Sequence, residues 1–305
     1  MTALLALLRR GFDNPWLLIS LTCIFWAGNV VAARSAIGHI SPLLLVCGRW
    51  VIASAILLVI ANKNLREDWP VMAPHWPRIF AMGACGFTLF HAFYYVSAYY
   101  TSGVNLSIMQ GVSPVLVLLG AWVMWRTPVT MVQMMGCGIT MIGILIVGTH
   151  GDLTMLRDLQ FNVGDIGMLV AGVIYAGYTL SLRNRPKTSA IGFFVVMALA
   201  ALLSSIPGVI YEAWRGDLIW PTTSTGVMVL LYTAIFPSLM AQIFYIRGIE
   251  LIGPGRAIIF YNVTPVLSAI FATYFLNEPF ELYHFAALVF VIGGVTIAEK
   301  LRRPT

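Results

Sequence analysis

The sequence predicts an all-α membrane protein with ten transmembrane helices arranged as two inverted five-helix repeats. Three observations carry that prediction: an apolar composition, ten apolar runs of membrane-spanning length, and a duplication at an offset of about 150 residues. Of the 305 residues, 59% are hydrophobic and 10% charged, whereas soluble domains carry roughly 45–50% and about 25%. A mean hydropathy of +0.87 excludes a solvated, disordered chain as well. A helix crossing hydrocarbon takes about 20 residues, and each crossing with its connection roughly 30, so the chain accommodates about ten spans and no separate soluble domain.

In chain order the apolar runs cover about 15–35, 43–61, 78–99, 104–125, 129–148, 164–182, 190–210, 225–247, 256–276 and 280–298. They are near-continuous, where a membrane β-barrel would show alternating segments of about 10 residues. The opening run from Thr2 to Leu8 is too short for a signal sequence, and Arg9-Arg10 follows it instead of preceding it, so no cleavage is expected. Cys23, Cys47, Cys85 and Cys137 fall inside apolar runs without paired spacing, so neither a disulfide framework nor a metal site is expected. The net charge of +6 lies at the ends of apolar runs and not in a basic stripe, which argues against nucleic acid and for a lipid bilayer as the partner.

Orientation follows from the Lys and Arg residues of the short loops. With the N-terminus inside, fourteen fall on the inner side: Arg9, Arg10, Lys63, Arg66, Arg78, Arg126, Arg183, Arg185, Lys187, Arg247, Arg256, Lys300, Arg302 and Arg303. The outer side holds Arg34, Arg157 and Arg215, and Arg49 lies within a span. The expected placement is a bacterial inner membrane with both termini cytoplasmic.

At an offset of 151, Phe93-Tyr94 aligns with Phe244-Tyr245, Val112-Ser113-Pro114-Val115-Leu116 with Val263-Thr264-Pro265-Val266-Leu267, Pro128 with Pro279, and Gly143 with Gly294. At 149, Ala27-Gly28 meets Ala176-Gly177 and Arg34 meets Arg183. The expected units are residues 1–149 and 150–305. Five spans per unit is odd, so the second enters the membrane from the opposite side, which is the inverted-repeat plan of secondary transporters. Two such halves can exchange conformations and expose a midplane site to each side in turn.

The chain resembles the drug/metabolite transporter superfamily and, within it, the ten-helix EamA-type transporters. The resemblance rests on Trp26-Ala27-Gly28-Asn29-Val30-Val31-Ala32-Ala33-Arg34, on Gly48-Arg49-Trp50, on the Ser113-Pro114 and Thr264-Pro265 centres, and on the turn Leu276-Asn277-Glu278-Pro279. That turn looks like the family's Gly-Glu turn. In the first repeat the chain departs from it with Arg126-Thr127-Pro128. The resemblance implies export of small metabolites, amino acids among them.

Strongly polar groups within hydrocarbon mark pathways. In the third span His91, Tyr94, Tyr95 and Tyr99 share a helical face. Gln242 and Tyr245 of the eighth span are the repeat-related positions of His91 and Tyr94. Together with Trp26 and Asn29 of the first span, the expected substrate-binding set is His91, Tyr94, Tyr95, Gln242, Tyr245, Asn29 and Trp26. Arg49 is either a carboxylate contact or a structural anchor. Gln110 and Asn262, just before Pro114 and Pro265, bind substrate or satisfy backbone freed by the prolines. Gly164, Gly167, Ala171 and Gly172 form a close-packing face.

All twelve acidic residues lie in loops or near span ends, so no buried carboxylate is expected to hold a cation or carry a proton. A neutral or zwitterionic solute with an apolar or aromatic side chain suits the pocket best, and a hydrophobic or aromatic amino acid moved outward by alternating access is the leading expectation. An exporter of cationic drugs and a carrier of nucleotide-linked sugars or lipids are the alternatives. Neither His-Glu-x-x-His nor a nucleotide-binding glycine loop is present, so no enzyme and no cofactor are expected. One chain, already duplicated, can form the whole cavity as a monomer.

Overall fold

Residues 12–126, 130–152, 162–252 and 263–300 of the chain are described by a computed structural model. The sequence expectations for the segment from Thr2 to Arg10, and for Thr127, Pro128, Arg157, Asp158, Arg256, Asn262, Arg302 and Arg303, lie outside the described residues. Among the described residues every element is helical. Seven helical stretches are long and apolar enough to cross a membrane, and three shorter apolar helices bring the number of segments to the expected ten. The family of interrupted helices is α1 Pro15–Ser35, α2 Pro42–Ile60, α3 Asn62–Met72, α4 Trp76–Gly83, α5 Phe90–Ser97, α6 Gly103–Gln110, α7 Ser113–Trp125 and α8 Met131–Gly148 in the first half. The second half holds α9 Val163–Ser181, α10 Ala190–Arg215, α11 Ser224–Thr233, α12 Ala241–Ile252, α13 Thr264–Leu276 and α14 Leu282–Lys300.

Local sequence explains where these helices begin. Asn14 caps α1, its side chain accepting from the N–H groups of Trp16 and Leu17 at 3.1 and 3.2 Å, and Pro15 occupies the first turn, where its missing N–H leaves nothing unpaired. Two other starts are capped from a distance. Glu212, near the end of α10, accepts from Ser41 Oγ at 2.7 Å and from the N–H groups of Leu43 and Leu44 at 2.8 and 2.9 Å. Asp68 of α3 accepts from the Ser189 hydroxyl and N–H ahead of α10. The start of α2 is thus capped from α10, and the start of α10 from α3, the helix that follows α2.

The structure departs from the apolar-run reading in two places. The third span is preceded by α3, a polar helix with an i,i+4 Lys63–Glu67 pair, which an apolar-length criterion passes over. The fourth span is not one helix bent at Pro114: α6 ends at Gln110, and Pro114 sits in the first turn of α7. Pro265 likewise opens α13. At such positions proline frees no interior carbonyl.

Both halves carry a π-helical stretch at the same place, Ala84–Leu89 between α4 and α5 and Ala234–Met240 between α11 and α12. The wider π turn frees carbonyls for other partners. Phe87 O accepts from Trp50 Nε1 and His91 Nδ1, while Pro237 O, 150 positions later, accepts from Trp26 Nε1. Helices α8 and α14 meet backbone to backbone: a Cβ on Gly136 would lie 2.6 Å from the Gly294 carbonyl oxygen. The small-residue face of α9 behaves as expected, with Gly164 against the Ser97 carbonyl and Thr101, and Gly172 against Val112 and Leu116.

Candidate functional site

At the centre of the bundle α2 delivers Arg49, which is 1% exposed. Its Nε donates to Ser238 Oγ and its Nη1 to the Tyr95 hydroxyl, each at 2.5 Å. Tyr95 then donates to Asn29 Oδ1 at 2.9 Å, and Ser238, in the π stretch, donates to the Thr233 carbonyl at the end of α11 at 2.6 Å. Among the described residues no carboxylate pairs with Arg49. The guanidinium instead lies 5.7 Å from the ring centres of both Trp50 and Tyr95, where the π faces offset part of its charge. This cluster ties α1, α2 and α5 of the first half to the π stretch of the second.

His91 and Tyr94 sit beside it. His91 Nδ1 is 2.8 Å from Phe87 O, and because a carbonyl can only accept, Nδ1 carries the proton. Tyr94 is 1% exposed, with Gln110 Nε2 at 3.5 Å from its hydroxyl. Helix α5 ends at Ser97, so Tyr99 does not continue this face. It is exposed beyond the helix, as is Tyr100.

Next to the cluster lies a cavity of about 500 Å³. Trp26, Gln242 and Tyr245 line it, the Trp26 and Tyr245 ring centres being 5.2 Å apart. Ser113, Pro114 and Val115 of α7 border it too, and further walls come from residues not singled out in the sequence: Tyr175, Tyr178 and Thr179 of α9, Phe193 and Phe194 of α10, and Phe87. The lining contains no Asp or Glu, and one arginine, Arg185. Polar groups are few and aromatic walls dominate, which is the pattern of a small-molecule site.

The expected set thus divides. Trp26, Gln242 and Tyr245 line the cavity, whereas His91, Tyr94, Tyr95, Asn29 and Arg49 form the packed cluster behind it. The repeat accounts for the division. Tyr175 is the mate of Trp26 and Tyr178 the mate of Asn29 at the offset of 149, so extending the Ala27-Gly28/Ala176-Gly177 alignment by one residue on either side finds both tyrosines. For three repeat-related pairs, Asn29/Tyr178, His91/Gln242 and Tyr94/Tyr245, the second-half member lines the cavity and the first-half member is outside it.

The two ends of the bundle also differ. The Arg185 end is where the cavity residues of α9, α10, α12 and α14 lie. At the other end, Glu278 accepts from the N–H groups of Gly103 and Val104, both at 3.0 Å, and pairs with Arg34 at 3.3 Å. Arg34 also donates to Ala98 O. Acidic residues do cluster near span ends, but two of them are buried: Glu212 at 5% exposure, in the cap above, and Asp165 at 1%. Asp165 accepts from Thr101 at 2.7 Å, Thr101 from Asn105, and Asn105 from His284 Nε2 at 3.2 Å. The expectation that no carboxylate is buried is corrected accordingly; none of the acids borders the cavity. Among the described residues no three His, Cys, Asp or Glu side chains gather as metal ligands, and none of the four cysteines is in a disulfide.

Comparison with known proteins agrees with this architecture. The uncharacterised transporter YyaM of Bacillus subtilis is 24% identical over 300 residues, covering 95% of each chain. YetK, another uncharacterised transporter of that organism, is 26% identical, over 89% of this chain and 83% of its own. A protein of Chlamydia trachomatis named as an S-adenosylmethionine/S-adenosylhomocysteine transporter is 21% identical, over 95% and 89%. One solved crystal structure superposes with a TM-score of 0.64 at 18% identity, over 95% of this chain and 99% of that one, and so shares the fold. Residues 15–149 and 162–298 each match the EamA-like transporter family, to which this multi-pass membrane chain therefore belongs.

Proposed function

We propose that the chain moves a small neutral or zwitterionic solute with an apolar or aromatic side chain, a hydrophobic or aromatic amino acid in the first instance, outward by alternating access. The observation that carries this reading is the division of the repeat-related pairs: Gln242 and Tyr245 line the cavity while His91 and Tyr94 do not. Exchange of the two conformations between the halves, residues 1–149 and 150–305, would bury the first pair and expose the second. Trp26, which lines the cavity and packs on Tyr245, contacts solute in this state; Asn29, Tyr95 and Arg49 receive it as the other side opens, the guanidinium taking the carboxylate. The concentration of Lys and Arg at the Arg185 end supports a cytoplasmic orientation of that end, with a bacterial inner membrane as the setting.

The acid-free lining with Arg185 at its border disfavours simple organic cations. A second reading is favoured by the name of the chlamydial relative and by the cavity volume, which accommodates an amino acid joined to a nucleoside. Proteoliposome uptake of radiolabelled phenylalanine, methionine, S-adenosylhomocysteine and a quaternary ammonium dye separates the two. Uptake of phenylalanine or methionine that is lost in Tyr245→Ala and in His91→Ala supports the first reading. Uptake of S-adenosylhomocysteine alone establishes the second, and uptake of the dye alone overturns both.

A further inference from the structure

The inverted repeat makes the two ends of the bundle comparable residue by residue, and one charge breaks the match. The turns after α7 and α13 have the same backbone: Arg126 at φ 48°, ψ 33° and Asn277 at φ 53°, ψ 32°, both left-handed. The next residue is Glu278 in the second half and Thr127 in the first, aligned at the offset of 151. Glu278 grips the first turn of α6 through two N–H groups and holds Arg34 of α1. Arg183, the mate of Arg34, instead has its guanidinium 4.6 Å from the Trp125 ring centre, and Trp125 is the mate of Leu276. The latch is half-buried, with side-chain exposures of 30% and 13%, so solvent screens it only in part.

We propose that Glu278 and Arg34 are gating residues that make the two closures unequal. The Glu278 end shuts with an ion pair and a doubly capped helix. At the corresponding positions the Arg185 end has Arg183 on the Trp125 ring and a threonine in place of the acid, so it lacks an ion pair of this kind to close on. The protein therefore rests with the Glu278 end closed and the cavity open at the Arg185 end, and opening the Glu278 end is the step bound solute must drive. Neither Glu278 nor Arg34 borders the cavity, so their effect on transport runs through this equilibrium and not through solute contact.

This rests on the alternating-access reading, and the test separates the two. Spin-label pairs are placed at exposed sites, Trp214 with Leu282 at the Glu278 end and Lys63 with Met131 at the other, in nanodiscs, with the four native cysteines replaced by alanine. Double electron–electron resonance then reads each end without any solute. In the wild type the short distance at the Glu278 end dominates. Glu278→Gln raises the open population there about tenfold, the effect of losing a charge-assisted contact. Thr127→Glu acts oppositely and independently, raising the population closed at the Arg185 end. Ends that exchange in every protein yet ignore both substitutions overturn the latch alone. One unvarying distance at each end in all variants overturns the latch and alternating access together.

Discussion

The same few positions occur twice in this molecule, in two different environments. In the second half, Tyr178, Gln242 and Tyr245 line an open cavity; in the first, Asn29, His91 and Tyr94 are packed around a buried arginine. The motif Ala-Gly shows the contrast most simply. A Cβ on Gly28 would collide with the Tyr232 phenol, which donates to Phe25 O, whereas a Cβ on Gly177 would meet nothing within 4 Å. One sequence pattern thus occupies a closed and an open packing in a single structure. The difference is the one that the alternating-access proposal requires, in which each half would take up the packing that the other now displays.

The largest effect is expected where the closed cluster is broken. Arg49→Ala removes the group joining Tyr95 to Ser238 and should lower transport about 100-fold or more while lowering stability by about 2–3 kcal/mol. Arg49→Lys keeps the charge but loses the planar fork, so it should restore stability more than transport. Uptake and thermal unfolding of the same preparations check both. Equal loss in the two variants would mean that the charge itself contributes little.

The next test sharpens the contrast between the two tyrosines. Tyr245→Ala should raise KM about tenfold for solute presented at the Arg185 end, through lost ring contact. Tyr94→Phe keeps the ring packed and should leave that KM unchanged, altering transport only for solute presented from the Glu278 end. Sided uptake in oriented vesicles measures each; a KM change from both sides with Tyr94→Phe would break the division of roles.

The smallest effects belong to the glycines. Gly28→Ala should destabilise the protein by about 1–3 kcal/mol through overpacking against Tyr232. Gly177→Ala should stabilise it by about 0.5–1 kcal/mol, as removal of a helical glycine into open space does. If the halves exchange conformations, Gly177 becomes the crowded position in the other state, so the stabilised variant should also turn over more slowly. Normal turnover in Gly177→Ala would argue against exchange at this position.

Much of this was legible beforehand for a physical reason. Apolar runs and glycine-rich packing faces are properties of neighbouring residues, and a duplication is visible by sliding the chain on itself. What was missed is equally specific. Helix α3 is polar and escapes a search for apolar length, and the break at Gly111–Val112 depends on Pro114 starting a helix where a kink in one was expected. Tyr175 and Tyr178 carried a signal in the repeat that single-span reasoning did not use. Asp165 looked like a span-end acid, and only its neighbours Thr101, Ser97 and Gly164 show that it is enclosed.

By itself, then, the sequence determined a membrane-embedded, all-helical, twice-five architecture and the list of positions that pair across the halves, because hydropathy and duplication are written along the chain. The tertiary structure alone decided which member of each pair meets the cavity, that Arg49 is held by hydroxyls and rings, and that Glu278 of one half caps a helix of the other. Both halves satisfy the same hydrophobic pattern in either packing. The contacts that join the halves in this packing link residues far apart in the chain, Arg34 with Glu278 and Arg49 with Ser238, which no local pattern encodes.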